Sequence, residues 1–241
     1  MIMDQVIQFI KQLSGRSDGF TSLSSQTDPE KIAYMRDLQR ELKTKDVLDS
    51  TFDELKVVVF DLETTGFYPY KGDRILSIGA VKMEGDRILE ETFYSPVYSA
   101  SAPSEEIQRL TGITKDILEN AATLHDVLKE FYQFIKSDAL VAHHANHEKQ
   151  FMKHATWMAL KKSFQHRIID TSFLTEVAEP ESRLFTLDEC CAHYGIKIDK
   201  RHHALHDAVA TAKLWAECVR EMQTLGFSNL KEVYTHIATL K

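Results

Sequence analysis

Two acids stand two residues apart at the end of an apolar run, Val57-Val58-Val59-Phe60-Asp61-Leu62-Glu63-Thr64-Thr65-Gly66. β-Branched and aromatic residues in an unbroken run read as a buried strand. Alternate strand residues share a face, so Asp61 and Glu63 project to the same side. Two carboxylates buried together are costly unless a cation or hydrogen-bond donors compensate them. A strand that continues through both acids therefore implies a divalent metal; a strand that stops at Phe60 leaves them solvated. Two further segments hold acids in apolar settings. Glu148 follows Leu140-Val141-Ala142 and falls in the first turns of an expected helix, where negative charge is favoured. Asp207 lies near the start of an alanine-rich helix, with His202 in the loop before it.

The elements that must position these groups are legible along the chain. Strands are expected over 57–64, 73–82, 87–97, 138–142 and 167–170, with the Gly85-Asp86 turn joining the second and third. Helices are expected from Pro103 to about Thr111, and over 124–135, 146–160, 171–177, 186–193 and 204–222. Three strands in succession, followed by strands alternating with helices, imply an α/β fold: a mixed five-stranded sheet with helices on both faces. Before it, apolar spacing predicts helices over 2–13 and from Asp28-Pro29 to Leu42, joined by a polar linker. The expected organisation is a helical N-terminal extension over 1–52, a main domain over 53–224 and a C-terminal helix over 225–241. The helix over 28–42 either packs on the main domain or serves as a docking arm for a partner.

Bulk properties narrow the classes. A length of 241 residues suits one substantial α/β domain with an appendage. A net charge of −7 argues against a protein that merely coats nucleic acid, but not against an enzyme whose acidic site holds metal. Three cysteines with no CxxC pair form neither a disulfide framework nor a thiolate metal site, which favours a reducing, cytoplasmic setting. No apolar run reaches membrane-spanning length, and the N-terminus lacks the pattern of a secretion signal.

Asp61-Leu62-Glu63-Thr64-Thr65-Gly66 resembles the first motif of the DEDDh 3′→5′ exonucleases, the superfamily of the proofreading subunit of bacterial replicative DNA polymerase, which has an RNase H-like fold. The 142–151 segment resembles the second motif, and His202-His203-Ala204-Leu205-His206-Asp207-Ala208 the third. The intervening 73–81, 111–114 and 184–187 segments resemble the family too, so the likeness spans about 56–222 in the right order. It implies hydrolysis of phosphodiester bonds with two Mg²⁺ or Mn²⁺ ions, hard cations that prefer carboxylate oxygens. By that likeness Asp61 bridges both metals, Glu63 and Asp207 join one of them, Glu148 stands at the second-motif acid, and His202 is the general base. Thr64, Thr65, Gly66, His143 and His144 are the implied substrate contacts. The chain departs from the pattern at Glu148, where Asp is usual, at His144, where Asn is usual, and at His147, where an aromatic is usual.

The implied reaction releases nucleoside monophosphates from single-stranded or frayed DNA 3′ ends, with RNA or short oligoribonucleotides as the alternative substrate. A polymerase or other replication partner would use the N-terminal helices. Two rivals come from other classes. His143 and His147, four apart, raise a zinc hydrolase, although no HExxH motif is present. A non-catalytic nucleic-acid-binding module is the other, although all five catalytic positions hold competent residues. Gln223-Thr224-Leu225-Gly226-Phe227 faintly resembles a sliding-clamp peptide but is explained by a glycine-capped helix end. Lys149, Lys153, Lys161 and Lys162, with Lys197, Lys200 and Arg201, are either local phosphate contacts or an ordinary solvated face.

Overall fold

The computed structural model describes residues 47–182 and 184–239. The two N-terminal helices expected over 2–13 and 28–42 lie outside the described residues. Five strands form one sheet: β1 (Lys56–Thr64), β2 (Ile75–Glu84), β3 (Arg87–Pro96), β4 (Ala139–Ala142) and β5 (Ile168–Asp170). Their order is β3-β2-β1-β4-β5. β1 pairs antiparallel with β2 and parallel with β4, so the sheet is mixed and β1 is at its centre. The helices are α1 (Glu105–Thr111), α2 (Lys115–Glu119), α3 (Leu124–Ile135), α4 (Asn146–Leu160), α5 (Thr171–Ala178), α6 (Leu187–His193), α7 (Ala204–Thr224) and α8 (Leu230–Thr239).

Strand alternation sorts the core into two layers. Val58, Phe60, Leu62, Leu140 and Ala142 face α3 and α4, where they pack on Phe131, Ile135, Phe151 and Met152. Val57, Val59, Val141 and Ile169 face the other way, onto Trp215, Leu214 and Ala210 of α7 and the apolar residues of α5 and α6. Asp61 and Glu63 continue the second series, so both carboxylates lie on the α7 side of the sheet. Val47, Leu48 and Phe52, and Leu230 and Val233 of α8, join this same cluster. The ends of the described chain are tied together: the Phe52 amide donates to the Ser228 carbonyl at 2.9 Å.

The expected helices over 124–135 and 146–160 have those boundaries. α2 was not expected. It is five residues long, buries Leu118 and starts where the Thr114 side chain accepts from the Ile117 amide. A helix this short shows too little periodicity to be read from spacing.

One glycine sets how α7 meets the sheet. Gly79 on β2 is paired with Asp61. A Cβ there would sit 2.2 Å from the Ala204 carbonyl carbon and the Leu205 nitrogen. The first turn of α7 therefore rests directly on the β2 backbone, which only glycine permits. Gly79→Ala is expected to lower stability by about 1–3 kcal/mol through overpacking and to shift the start of α7. A thermal melt and a Mn²⁺ titration check this; an unchanged melting temperature and metal response would refute the contact's importance.

Candidate active site

Four acids reach one volume from three elements. Asp61 and Glu63 come from the end of β1, where the register with β2 shifts between Glu63 and Thr64 and the strand gives way to a turn. Asp207 comes from the first turn of α7, which the small residues Ala204 and Ala208 hold against the sheet. Glu148 comes from the first turn of α4, which leaves the C-terminal end of β4. Glu63, Glu148 and Asp207 are all buried.

Ligand atoms of Glu63, His202 and Asp207 lie within 4.8 Å of one another. Asp61 and Glu148 are tied to this group by charge. Burial, then the charges of Glu148, Glu63 and Asp207, push the Asp61 carboxyl well above the usual carboxylate range. Burial, then Asp207, raises Glu63 to about 7. Burial likewise raises Glu148, to about 8. Asp207 is also raised by burial, against the opposing pull of Arg201.

The hydrogen bonds leave gaps that a cation fits. Asp207 Oδ2 accepts from the His202 amide at 2.9 Å and from Arg201 Nη1 at 2.5 Å. Its other oxygen, Oδ1, is buried without a partner, as is Glu148 Oε2. A buried carboxylate oxygen lacking a donor is expensive, and oxygens are what Mg²⁺ or Mn²⁺ coordinates. The donor set is all-carboxylate with a histidine at its edge, so it fits the divalent metal expected from the sequence. His202 has a left-handed backbone (φ 58°), which a residue other than glycine adopts at a cost. The bond from its amide to Asp207 holds it there.

The five expected catalytic positions are therefore brought together. The expected substrate contacts behave differently. Thr64 Oγ1 donates to the Gly66 carbonyl at 2.7 Å. Thr65 Oγ1 donates to Asp73 Oδ1 and accepts from the Arg74 amide. A Cβ on Gly66 would meet the Asp73 carboxylate at 2.5 Å. These three residues build the turn, with the two threonine hydroxyls engaged inside it. His143 pairs with Thr171 Oγ1 at 2.8 Å, and both His143 and His144 reach the Phe185 carbonyl. They clamp the segment before α6. Asp170 caps α5 as expected, accepting from the Ser172 amide, and also receives the His144 and Ala145 amides.

Spacing alone did not assign Arg201 to the acid cluster. Its guanidinium bridges Asp207 to Asp188 Oδ1, the latter at 2.8 Å, and opposes the rise in the Asp61 and Glu63 carboxyls. Its place beside His202 was the available signal. His147, which departs from the second motif's aromatic and entered the zinc alternative, has its Nε2 3.4 Å from Thr64 Oγ1.

Comparison with known proteins decides the family. The family model described as Exonuclease matches residues 58–215. The chain belongs to this exonuclease family. It is 32% identical to the DNA polymerase III subunit epsilon of Aquifex aeolicus, over 78% of this chain and 90% of that protein. It is 35% identical to the PolC-type DNA polymerase III of Thermotoga maritima over 77% of this chain, but that match spans only 13% of the larger protein. Among solved structures, the nuclease domain of 3′hExo, a DEDDh family member bound to rAMP, shares the fold at a TM-score of 0.59 and 21% identity, covering 71% of this chain and 92% of that domain. Exonuclease X in complex with 5′ overhanging duplex DNA gives 0.57 at 19% identity, covering 75% of this chain and 99% of that one. The chain is thus an exonuclease by family, and its mixed α/β sheet is the RNase H-like fold that these nuclease structures share. No helix among the described residues is long and apolar enough to cross a membrane.

Raised carboxyls have a stability consequence. The folded chain binds these protons more tightly than the unfolded chain does. The stabilisation is complete below the ordinary glutamate value of 4.5 and is lost as pH rises through about 7 for Glu63 and about 8 for Glu148. In EDTA the melting temperature is expected to fall as pH rises across that window, and Mn²⁺ is expected to flatten the slope. Glu148→Gln is expected to melt higher than wild type at about pH 8 in EDTA and to lose most of the Mn²⁺ response. Melting curves independent of pH and metal would contradict the geometry of a shared carboxylate site.

Proposed function

We propose that the chain hydrolyses phosphodiester bonds at the 3′ ends of single-stranded or frayed DNA, releasing nucleoside monophosphates with the help of two Mg²⁺ or Mn²⁺ ions. The supporting observation is the grouping of Glu63, Asp207 and His202, to which Asp61 and Glu148 are coupled by charge, with Asp207 Oδ1 and Glu148 Oε2 lacking donors. Asp61 would hold both ions, Glu63 and Asp207 one of them, and Glu148 the second-motif position. When bound, the ions supply charge neutralisation for the phosphate in the transition state and acidify the attacking water.

The chain's own residues do the rest. His202, in the loop ahead of α7, takes the proton from the attacking water. Its strained backbone and its bond to Asp207 fix the imidazole relative to the acids. Arg201 and the His202 amide both engage Oδ2 of Asp207, leaving Oδ1 buried without a donor. The extra methylene of Glu148 is accommodated by its position on the first turn of α4, with the carboxylate buried. DNA is favoured because the relatives by sequence are DNA polymerase III proteins. RNA is the second reading, because one solved neighbour is described as recognising a histone mRNA stem-loop. The buried, unpaired Cys190, Cys191 and Cys218 are consistent with a cytoplasmic protein. A polymerase partner contacting the 1–52 region belongs to the same reading.

One time course tests the reaction: DNA and RNA strands labelled at the 3′ or the 5′ end, with Mn²⁺, Mg²⁺ or EDTA. Immediate release of a 3′-terminal mononucleotide, abolished by EDTA, is expected; activity that survives EDTA or requires zinc would overturn the mechanism. His202→Ala is expected to lower kcat by about 10²–10⁴-fold while Mn²⁺ affinity is retained. A parallel loss of Mn²⁺ affinity would make His202 a metal ligand rather than the base.

A further inference from the structure

An aromatic and basic face lies beside the acid cluster. Phe67 and Tyr70, on the turn after β1, are 76% and 68% exposed, and Trp157 on α4 is 57% exposed. Two of these rings contact histidines of α4. Phe67 meets His147 edge-on with centroids 5.7 Å apart, and Tyr70 meets His154 likewise at 5.1 Å. His147 and His154 are seven residues apart, so they lie on one line along α4, with Lys161 at its C-cap. Lys153 and Trp157 occupy the adjacent row. From His147 to the end of the helix the line runs roughly 20 Å at 1.5 Å per residue. It starts where His147 approaches Thr64, next to the acid site.

The charge of this face is opposite to that of the protein. Residues 146–162 carry Lys149, Lys153, Lys161 and Lys162, and their one acid, Glu148, is buried and belongs to the site. The whole chain has a net charge of −7. On the neighbouring turn Lys71 extends over the Tyr68 ring at 4.7 Å. The turn's acid, Asp73, is occupied by the Tyr68 amide and the Thr65 hydroxyl. Exposed rings stack on bases without reading sequence, and interleaved lysines neutralise the phosphates between them. The core of a protein–protein interface is depleted in lysine, which counts against a protein occupant.

We propose that the exposed face of α4, with Tyr70 of the adjoining turn, is a stacking platform for single-stranded polynucleotide, carrying the strand on the 5′ side of the scissile bond away from the acids. This rests on the exonuclease reading. Its test separates the two: binding of fluorescent dT10 and dT2 to the full chain in EDTA, and their hydrolysis in Mn²⁺. Trp157→Ala and Tyr70→Ala are each expected to weaken dT10 binding by about 10-fold and to reduce by a similar factor the preference for dT10 over dT2 in kcat/KM. Lys153→Ala with Lys161→Ala is expected to flatten the slope of log affinity against log salt by about 1.4, the value for two lost contacts on a single strand. Circular dichroism melts confirm that the variants are folded. Wild-type affinity for dT10 in folded Trp157→Ala and Tyr70→Ala overturns the platform, as does equal weakening of dT10 and dT2. Platform-dependent binding by a wild-type chain that hydrolyses neither oligonucleotide would remove the exonuclease reading and leave the platform standing.

Discussion

Mutual repulsion among four carboxylates is the constraint on which this structure turns. Two unit charges 4 Å apart repel by about 1–4 kcal/mol, depending on the effective dielectric. Asp61, Glu63, Glu148 and Asp207 cannot all be ionised in a half-dry pocket without compensation: burial raises all four carboxyls, and the neighbouring acids of the cluster add to the rise of Asp61 and Glu63. A single guanidinium, that of Arg201, opposes the rise of three of them. The acids are held together because the rest of the fold is stable enough to force them there. Two hydrophobic layers clamp β1 from both sides, and β1 delivers two of the acids.

The scaffold concentrates strain where the site needs it. Gly79 lets the first turn of α7 settle on the β2 backbone opposite Asp61, and this brings Asp207 to the end of β1. The loop feeding α7 then places His202 in a left-handed conformation, held by the carboxylate it serves. The Asp73 carboxylate organises the turn after β1 through Thr65 and the Tyr68 amide, with the Gly66 backbone close against it. Asp73, outside the cluster, thus has structural partners, whereas Asp207 and Glu148 each keep a buried oxygen without one.

Much of this was legible in the sequence. Alternation in β1 placed Asp61 and Glu63 on one face, and the apolar stripes of α3 and α4 fixed those helices to the residue. The mixed five-stranded sheet with helices on both faces followed from three strands in a row and then alternation with helices, whereas the order β3-β2-β1-β4-β5 came from the structure. Side-chain partnerships were less legible, because they depend on distances across the fold. Thr64 and Thr65 were read as substrate contacts, and their partners within the chain were not foreseen: Asp73, eight residues on, takes the Thr65 hydroxyl, while that of Thr64 bonds the Gly66 carbonyl. His143 and His144 converge on a carbonyl more than forty residues away, which spacing cannot reveal. The bridge from Arg201 to Asp188 and Asp207 was hidden for the same reason.

The longer side chain at position 148 follows from the same geometry. A glutamate reaches further from its helix than an aspartate, so the first turn of α4 can stand back from the metal ligands by about the length of the added methylene. Ala145, Phe151, Met152 and Ala155 seat α4 on the sheet. Burial of the carboxylate with one oxygen left without a donor means that the added length is directed inward rather than lost to solvent. A glutamate that is neutral near neutral pH until a cation arrives makes metal binding a proton-releasing step. Occupancy of the site should therefore depend on pH more steeply than in a site whose acids are already ionised.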